Sequence, residues 1–478
     1  MGLQGPDASC TGYTESGDFE GFTMTLNMGR RRFVTKATRL TAAAIGFPYI
    51  VSSKALGTNA QTAAGERITV GCIGAGPQGC AVMRGFLSQS DAQVVAVCDV
   101  KTDRLDIAGK LVEQTYQHKG CARYGDWRQV MGRSDIDAVV IATPDHWHVP
   151  IAMSAARAGK DMYVEKPLGM SVYEAQVLRA TIKKYGRVFQ FGTQQRSDAN
   201  FRFACELVRN GRIGRLRTIN VWSPGSVAGG STVPAPVPAG IDYQMWLGPA
   251  PFSPYTADRC SEKADKKTWW YHSDFSHGFL AGWGIHPMDI GLWGGGSDLG
   301  GVIEIEGQGT FPTEGACDTA TKWDVVFRYG NGIVLNFKGL EIKSNDSAVL
   351  NVSAFGPRYG RTTFHGTAFE GSEGWVHVDR SGINAYPKSL LSTTFGPDEI
   401  SLYRSTDHVR NFLDCVKTRA GTICDIESSV RSEIACHISN LCLKLGRKVV
   451  WDSQKECFIN DQAANRMLHK PIRSPWHL

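Results

Sequence analysis

Residues 68–79 of the chain read Ile-Thr-Val-Gly-Cys-Ile-Gly-Ala-Gly-Pro-Gln-Gly. The first six residues are apolar or small and predict a buried β-strand, and the glycines after them predict a tight turn into a helix. A second apolar run, 94–98, ends at Asp99, which lies 20 positions after Gly79. Strand, glycine turn, helix, strand and acid in this order predict a dinucleotide-binding β-α-β unit.

Each residue of the turn has a physical task in such a unit. Gly74 permits the tight turn, Gly76 lets the backbone approach a pyrophosphate, and Gly79 lets helix and strand pack closely. Pro77 and Gln78 open the helix, whose free N–H groups and positive dipole end favour a phosphate. The turn therefore predicts the diphosphate subsite.

Asp99 indicates which dinucleotide binds. A carboxylate at this position accepts hydrogen bonds from the adenosine ribose hydroxyls, and it repels a 2′-phosphate. NAD is therefore favoured over NADP. Lys101 and Arg104 follow closely and weaken this preference without reversing it.

The alternation of strands and helices continues to about residue 191. It predicts a parallel, doubly wound Rossmann sheet within a domain at 66–192. Ligands of such sheets bind at the carboxyl ends of the strands. Two predicted strands end there in polar clusters, Thr143-Pro144-Asp145-His146-Trp147-His148 and Glu165-Lys166-Pro167.

A resemblance to a known family rests on four motifs. They are the glycine turn, these two clusters and a later Trp283-Gly284-Ile285-His286-Pro287. Together they resemble the glucose–fructose oxidoreductase / inositol dehydrogenase (Gfo/Idh/MocA) family of NAD(P)-dependent enzymes. The stretch 408–451 also looks like exported members of this family. The resemblance implies hydride transfer to or from a sugar or cyclitol carbon and a homo-oligomeric assembly.

The resemblance also implies roles for residues outside the glycine turn. Lys166 is expected beside the nicotinamide and the reacting carbon, with His286 opposite it as the second catalytic residue. Thr143, Pro144, His148 and Glu165 are expected along the cofactor. Lysine and histidine suit proton exchange with a substrate hydroxyl near neutral pH.

One position departs from the family pattern. An aspartate is usual four residues before the histidine, and here that position is Gly282. Asp289 and Asp274 are available substitutes. The missing carboxylate places simple inositol-type dehydrogenation in doubt.

A second domain is expected at 193–452, α+β in class, with an open and mostly antiparallel sheet. Strand-like runs without intervening helices, among them 350–354 and 361–364, support this expectation. Long irregular loops at 224–240 and 246–270 are typical of functional segments. Candidate substrate contacts near His286 are Arg196, Tyr271, His272, Trp283 and Asp289. Residues 453–478 are expected to form a tail.

The N-terminus, 1–65, is interpreted as a leader without structure of its own. Arg30-Arg31-Arg32-Phe33-Val34 resembles a twin-arginine export signal, which would extend over about 28–57. The apolar stretch after it is shorter than the ~20 residues that span a bilayer. A periplasmic or otherwise exported protein is expected, with no membrane contact in the mature form. A basic leader without an export role is the alternative.

The net charge of +6 is concentrated in this leader, where six basic residues and no acid lie between Met28 and Gly57. No basic stripe follows it, so nucleic acid is not an expected partner. The 13 cysteines form no Cys-x-x-Cys pair. They are interpreted as unpaired core thiols, and no metal site is expected.

Export and cofactor together suggest that NAD does not dissociate, because the periplasm does not replenish it. The substrate is then a sugar, a cyclitol or a glycoside. Besides net oxidoreduction, we consider a redox-neutral enzyme that cleaves glycosides by transient oxidation and elimination. A non-catalytic NAD and sugar sensor is the third alternative.

Overall fold

A computed structural model of the chain describes residues 62–261, 267–342, 356–360 and 363–478. The predicted twin-arginine signal and the predicted strand at 350–354 lie outside these ranges. None of the helices in the described ranges is both long and apolar enough to cross a membrane.

The N-terminal part forms a six-stranded parallel sheet in the order β3-β2-β1-β4-β5-β6. Its elements, in chain order, are β1 Ile68–Ile73, α1 Pro77–Leu87, β2 Ala92–Cys98, α2 Thr102–Tyr116, β3 Ala122–Tyr124, α3 Trp127–Met131, β4 Ala138–Ile141, α4 His148–Arg157, β5 Asp161–Val164, α5 Val172–Tyr185 and β6 Phe189–Phe191. The strand order reverses between β1 and β4, which is where doubly wound sheets bind their ligands. The predicted Rossmann fold is confirmed.

The strands of this sheet are short and almost wholly buried. β4 and β5 have no exposed position, because helices cover both faces of the sheet. A strand that is buried on both faces is apolar at every position, as the sequence Ala-Val-Val-Ile of β4 is. The polar clusters that follow β4 and β5 are thereby fixed at one edge of the sheet.

The C-terminal part forms a nine-stranded mixed sheet in the order β13-β12-β11-β7-β10-β9-β8-β14-β15. Its elements, with the helices between them, are α6 Ala199–Arg209, β7 Leu216–Pro224, α7 Tyr243–Leu247, α8 Phe279–Gly282, α9 Ile285–Gly295, β8 Val302–Thr310, β9 Lys322–Tyr329, β10 Val334–Leu340, α10 Gly356–Tyr359, β11 Gly366–Gly371, β12 Trp375–Asp379, β13 Gly382–Tyr386, α11 His408–Thr418, α12 Ile426–Leu445, β14 Val449–Asp452, β15 Cys457–Phe458 and α13 Gln462–Arg466. Only β7 and β10 pair in parallel among these strands. The prediction of an open, mostly antiparallel sheet is confirmed.

One predicted strand in this part is wrong in its described residues. Residues 363–364, the described half of the predicted strand 361–364, are not in a strand, and β11 begins only at Gly366. Trp222 on β7 donates from Nε1 to the carbonyl of Thr363 at 3.0 Å. A side-chain donor therefore occupies the carbonyl that a strand neighbour would otherwise use.

The two sheets share one apolar core. Helix α12 packs against α5 of the Rossmann part, and α9 packs against β7. Buried side chains such as Val164, Leu280 and Phe337 belong to a single cluster. The Rossmann part and the second part are thus joined through this shared apolar cluster.

The C-terminal segment 453–478 packs back onto the Rossmann part. The ring of Trp476 contacts the ring of Trp147 edge to face, with centroids 4.7 Å apart. The backbone N–H of Arg473 donates to the carbonyl of Pro249 at 2.9 Å. The segment is therefore a packed part of the fold.

Candidate functional site

A cleft lies at the carboxyl ends of β1, β4 and β5. The predicted site residues that line it are Gly74, Gly76, Pro77, Gln78, Gly79, Asp99, Thr143, Pro144, His148, Glu165 and Lys166. All the residues predicted to contact the cofactor thus come together in one cavity.

The glycine turn leaves no room for side chains. A Cβ on Gly79 would lie 2.0 Å from the carbonyl oxygen of Gly74, and a Cβ on Gly74 would lie 2.4 Å from that of Ala142. Gly74 also has φ +89°, which L-residues rarely adopt. No side chain caps the N-terminus of α1, so the N–H groups of Gln78 and Gly79 face the cleft side of the turn. The turn therefore fits a diphosphate.

Asp99 is fixed by the turn that it faces. Its Oδ2 accepts from the backbone N–H of Ala75 at 2.7 Å, and its Oδ1 accepts from that of Lys101 at 2.9 Å. The observed position fits the adenosine ribose of a dinucleotide.

Segments from the C-terminal part cover the cleft. Met245, Trp246, Cys260, Trp269 and Trp270 all line it, and we call residues 240–261 and 267–270 the covering segment. Two contacts fasten this segment to the start of α2. The carbonyl of residue 260 accepts from Lys101 Nζ at 3.2 Å, and that of residue 240 accepts from the N–H of residue 102 at 2.9 Å.

Lys166 and Glu165 follow β5 and stand at the end of the cleft. Glu165 is buried, and its Oε1 accepts from the amides of Gln78 and Gln194, each at 3.1 Å. Burial raises the pKa of this carboxyl, and the positive charge of Lys166 acts in the opposite direction. Glu165 thus links the glycine turn to the strand end that carries the lysine.

His286 lies on α9, close enough to Lys166 for the lysine charge to act on it. Burial lowers the pKa of the imidazole well below its usual value, and the charges of Lys166 and Arg380 lower it further. The ring is 4% exposed, and its Nδ1 has no hydrogen-bond partner among the described residues. A neutral ring with a vacant nitrogen can exchange a hydrogen bond or a proton with a ligand. Lys166 therefore acts electrostatically on His286, but of these two predicted catalytic residues only Lys166 lines the cleft.

His148 holds the two strand-end clusters together. Its Nδ1 lies 2.6 Å from the carbonyl oxygen of Pro167, and its Nε2 lies 2.8 Å from that of Thr143. Burial lowers the pKa of the ring to about 4, although both carbonyls favour the charged form. His148 therefore positions the backbone on either side of the cleft.

Asp145 is a buried carboxyl in the same cavity that was not among the predicted site residues. It is 2% exposed, it lines the cleft, and its Oδ2 has no hydrogen-bond partner among the described residues. Burial raises its pKa to about 7, against the effects of a hydrogen bond from Ser276 and the charge of Lys166. A buried carboxyl that titrates near neutrality is a sign of a functional site.

None of the five predicted substrate residues lines the cleft. Arg196 and Asp289 do not line the cleft, and they form a buried ion pair with each other. Tyr271 and His272 are also buried outside the lining, whereas the two tryptophans that precede them in the chain line it. Trp283 contacts His286 edge to face, with ring centroids 5.7 Å apart.

Arg380, in the turn between β12 and β13, is a second residue that sequence reasoning missed. Its guanidinium carbon lies 4.8 Å from the ring centroid of Trp283, and its charge acts on both Glu165 and His286. No local motif marks this turn. Only the pairing of β12 and β13 at the edge of the sheet brings the arginine to the site.

A parallel sheet with this glycine turn, an acid at the end of β2 and a lysine in the cleft after β5 is typical of a nucleotide-binding oxidoreductase. Family comparison agrees with this class. Residues 68–193 match a model described as an oxidoreductase family with an NAD-binding Rossmann fold. Residues 220–354 and 397–478 match the C-terminal alpha/beta domain of the same family. The chain belongs to the Gfo/Idh/MocA family.

Curated relatives are similar over part of their length. A glycosyl hydrolase family 109 protein of Saccharopolyspora erythraea is 37% identical over 126 residues, which cover 26% of this chain and 27% of that protein. An alpha-N-acetylgalactosaminidase of Shewanella oneidensis is 28% identical over 162 residues, which cover 31% of this chain and 35% of that protein. The chain spans about a third of the length of these relatives.

Solved structures share the fold over most of the chain. GenD2 from gentamicin A biosynthesis, solved in complex with NAD, superposes with a TM-score of 0.57 at 18% identity. The superposition covers 83% of this chain and 98% of GenD2. At this identity the likeness shows the fold alone.

Proposed function

We propose that this oxidoreductase transfers hydride to or from a secondary alcohol carbon of a sugar or cyclitol. The observation that carries the proposal is that Lys166, which lines the nucleotide cleft, lies close enough to the buried ring of His286 for its charge to act on that ring. Both groups exchange protons with hydroxyl groups, and a secondary alcohol loses its hydroxyl proton when it is oxidised. The family membership supports the same class of reaction.

The residues present fit a nicotinamide dinucleotide. The turn at Gly74 and Gly79 would hold the diphosphate, Asp99 the adenosine ribose, and Glu165 the backbone around the nicotinamide end. The dinucleotide, when bound, supplies the hydride acceptor and donor. We propose NAD in preference to NADP because the carboxylate of Asp99 repels a 2′-phosphate.

The chain itself supplies proton transfer and positioning. Nζ of Lys166 would take the hydroxyl proton, and Nδ1 of His286 would hold the hydroxyl by a hydrogen bond. Burial keeps the imidazole neutral, so its vacant nitrogen is available for this hydrogen bond. His148 fixes the strand ends that carry these groups.

We further propose that the dinucleotide is retained between turnovers. Support comes from the covering segment, which lines the cleft and is fastened to α2 at Lys101. Trp147 also holds the covering segment in place, because its Nε1 donates to the carbonyl of Met245 at 3.0 Å and to that of Trp246 at 3.3 Å. A cofactor enclosed in this way dissociates only when several contacts break together.

A second candidate function is redox-neutral cleavage of a glycoside. The names of the relatives, a family 109 glycosyl hydrolase and an alpha-N-acetylgalactosaminidase, favour it. Transient oxidation of a sugar carbon acidifies the neighbouring C–H bond, so a substituent can leave by elimination before the hydride returns. The same Lys166 and His286 would serve this reaction, and a retained cofactor is required by it.

Export and assembly belong to the proposal as well. The twin-arginine pattern at Arg30-Arg31 supports a periplasmic or otherwise exported protein, since that route carries folded, cofactor-loaded proteins. We propose a homo-oligomer on the family resemblance, and we propose no nucleic-acid or membrane partner for the mature protein.

The experiment denatures the purified protein and identifies any released nucleotide, and then incubates native protein with a panel of sugars, cyclitols and glycosides. Formation of reduced dinucleotide without a split product supports net oxidoreduction. Release of an aglycone without net reduction supports glycoside cleavage. Absence of released nucleotide contradicts cofactor retention, and hydride transfer unchanged in Lys166→Ala contradicts the assigned site. A protein that binds sugar and NAD without any conversion is a sensor.

A further inference from the structure

Another pocket in the described part of the chain lies outside the nucleotide cleft, where the C-terminal ends of α6 and α9 meet the start of α12. Arg196, Arg209 and Arg431 all line it, together with the hydroxyl-bearing Ser297. None of its other lining residues is acidic. Three guanidinium groups thus converge on one pocket, which we call the arginine pocket.

Of these three arginines, Arg196 has its charge balanced within the protein. Its ion pair with Asp289 is buried. Its guanidinium carbon lies 5.1 Å from the ring centroid of Trp293, which also lines the pocket. The ion pair and the ring therefore form a fixed wall of the arginine pocket, and the charge of Arg196 is already matched.

Arg431 and Arg209 meet at residue 296, just after the end of α9. Nη2 of Arg431 donates to the carbonyls of Gly296 and Leu299, at 2.7 and 2.9 Å. Nη1 of Arg209 lies against the same glycine, since a Cβ built on Gly296 would be 2.3 Å from it. Two guanidinium groups therefore contact one backbone position, and both border the arginine pocket.

The charges of Arg209 and Arg431 are not matched by any acid in the described part of the chain. Arg209 forms no hydrogen bond or ion pair with a described residue, and Arg431 donates only through Nη2. Asp298 lines a neighbouring hollow with Arg209 but forms an ion pair with neither arginine. Burial lowers the pKa of Arg431, and the charges of Arg196 and Arg209 act in the same direction. Two positive charges are thus held close together, where they repel each other.

The end of α9 accounts for only part of this arrangement. The last carbonyls of a helix attract a cation, and Nη2 of Arg431 meets them. They give no reason for the second guanidinium of Arg209 at the same place. Guanidinium groups present planar forks of N–H donors that match the oxygens of phosphate and sulfate. Two such forks beside each other are therefore suited to one oxyanion.

We propose that the arginine pocket binds a doubly charged oxyanion, sulfate or hydrogen phosphate, between Arg209 and Arg431, with the hydroxyl of Ser297 as a further donor. Two negative charges on the anion match the two unmatched guanidinium groups. The pocket lies at the opposite end of α9 from His286, so this site is separate from the nucleotide cleft and does not depend on the proposed function. Free ions and sulfated or phosphorylated saccharides present the same chemistry.

The experiment titrates the purified full-length protein with sodium sulfate and with sodium phosphate in a calorimeter, at an ionic strength held constant with sodium chloride. Wild type should bind at least one of the two ions with a Kd below about 1 mM. Arg209→Gln should weaken that binding at least roughly tenfold, because it removes one fork and one charge. Arg212→Gln is the matched control, since it removes the same charge from a side chain that pairs with Glu399 and does not line the pocket.

Two further measurements identify the source and the place of the anion. Galactose 6-sulfate and glucose 6-phosphate are titrated in the same way: tighter binding than that of the inorganic ions assigns the pocket to a saccharide, and weaker binding assigns it to the free ion. Crystals grown with selenate, which replaces sulfate and scatters anomalously, should show a selenium peak between Arg209 and Arg431.

Three results would overturn the proposal. They are a Kd of about 1 mM or more for both inorganic ions, which means an adventitious ion only, equal losses in Arg209→Gln and Arg212→Gln, and selenium peaks that all lie away from the arginine pocket. Should Arg209→Gln fail to fold, Arg431→Lys decides, because it keeps the charge and loses the planar fork. The same tenfold loss is expected of it, and unchanged binding would overturn the assignment.

Discussion

Asp289 on α9 holds Arg196 in a two-pronged ion pair, with Oδ2 to Nε and Oδ1 to Nη2 both at 2.7 Å. Ser432 on α12 donates to the same Oδ1 at 2.7 Å, and both charged side chains are less than a tenth exposed. The pair joins three elements of the C-terminal part. Asp289 is thereby committed to structure, so it is a poor substitute for the carboxylate missing at Gly282.

Removing one partner of this pair should destabilise the protein strongly. Asp289→Asn leaves a buried guanidinium without its counter-charge, which costs about 3–5 kcal/mol in comparable pairs. Denaturant unfolding of the purified protein measures the change. Asp103→Asn is the control, because that carboxylate is 63% exposed and should change the unfolding free energy by less than about 0.5 kcal/mol. Equal stability of the two variants would refute a structural role for Asp289.

The glycine turn gives a prediction about nucleotide binding. Gly79→Ala places a Cβ against the carbonyl of Gly74 and forces the turn open, so NAD affinity should fall at least roughly tenfold, or about 1.4 kcal/mol. Calorimetric titration of nucleotide-free protein measures it. Gly282→Ala is the matched control, because nothing lies within 4 Å of a Cβ there. Comparable losses in both variants would show that the turn is not the diphosphate site.

Asp99 should decide between the two dinucleotides. Asp99→Asn keeps an acceptor for the N–H of Ala75 and loses the charge that repels a 2′-phosphate. We expect the ratio of NADP to NAD affinity to rise at least roughly tenfold. Binding of both nucleotides to wild type, Asp99→Asn and the surface variant Asp103→Asn provides the test. An unchanged ratio of the two affinities would show that the charge of Asp99 does not cause the selectivity for NAD.

Cofactor retention should depend on the C-terminal segment. Trp476 supports Trp147, which in turn holds the backbone of Met245 and Trp246 over the cleft. Trp476→Ala removes an aromatic contact of about 0.5–1.5 kcal/mol, so nucleotide release should accelerate roughly two- to tenfold. A trapping assay for released nucleotide measures the rate, with the exposed neighbour His477→Ala as the control. Release at the wild-type rate would mean that the segment plays no part in retention.

The sequence predicted the nucleotide side of the site well, because its signals are local. The turn at Gly74, the acid at position 99 and the clusters after β4 and β5 lie at strand ends, and parallel strands bring such ends to one edge. Helix α12 is marked locally as well, since apolar residues recur along it and Gly446 ends it in a left-handed conformation.

The substrate side could not be predicted to the same extent. Arg380 reaches the site through the pairing of β12 and β13 at the edge of the sheet. Asp289, a predicted substrate residue, is held in an ion pair, whereas Asp145, which was not predicted, lines the cleft. Whether a carboxylate is vacant or paired depends on its three-dimensional neighbours. No local pattern in the sequence identifies those neighbours, because they come from distant parts of the chain.

The central claim is that Lys166 exchanges the substrate proton at the end of the nucleotide cleft, with His286 beside it. The most direct measurement is single-turnover formation of reduced dinucleotide from a substrate found in the panel, in wild type and in Lys166→Ala, with NAD binding measured in parallel. The account predicts intact NAD binding and a rate lowered at least roughly a hundredfold in Lys166→Ala. A variant that binds NAD and transfers hydride at the wild-type rate would contradict it.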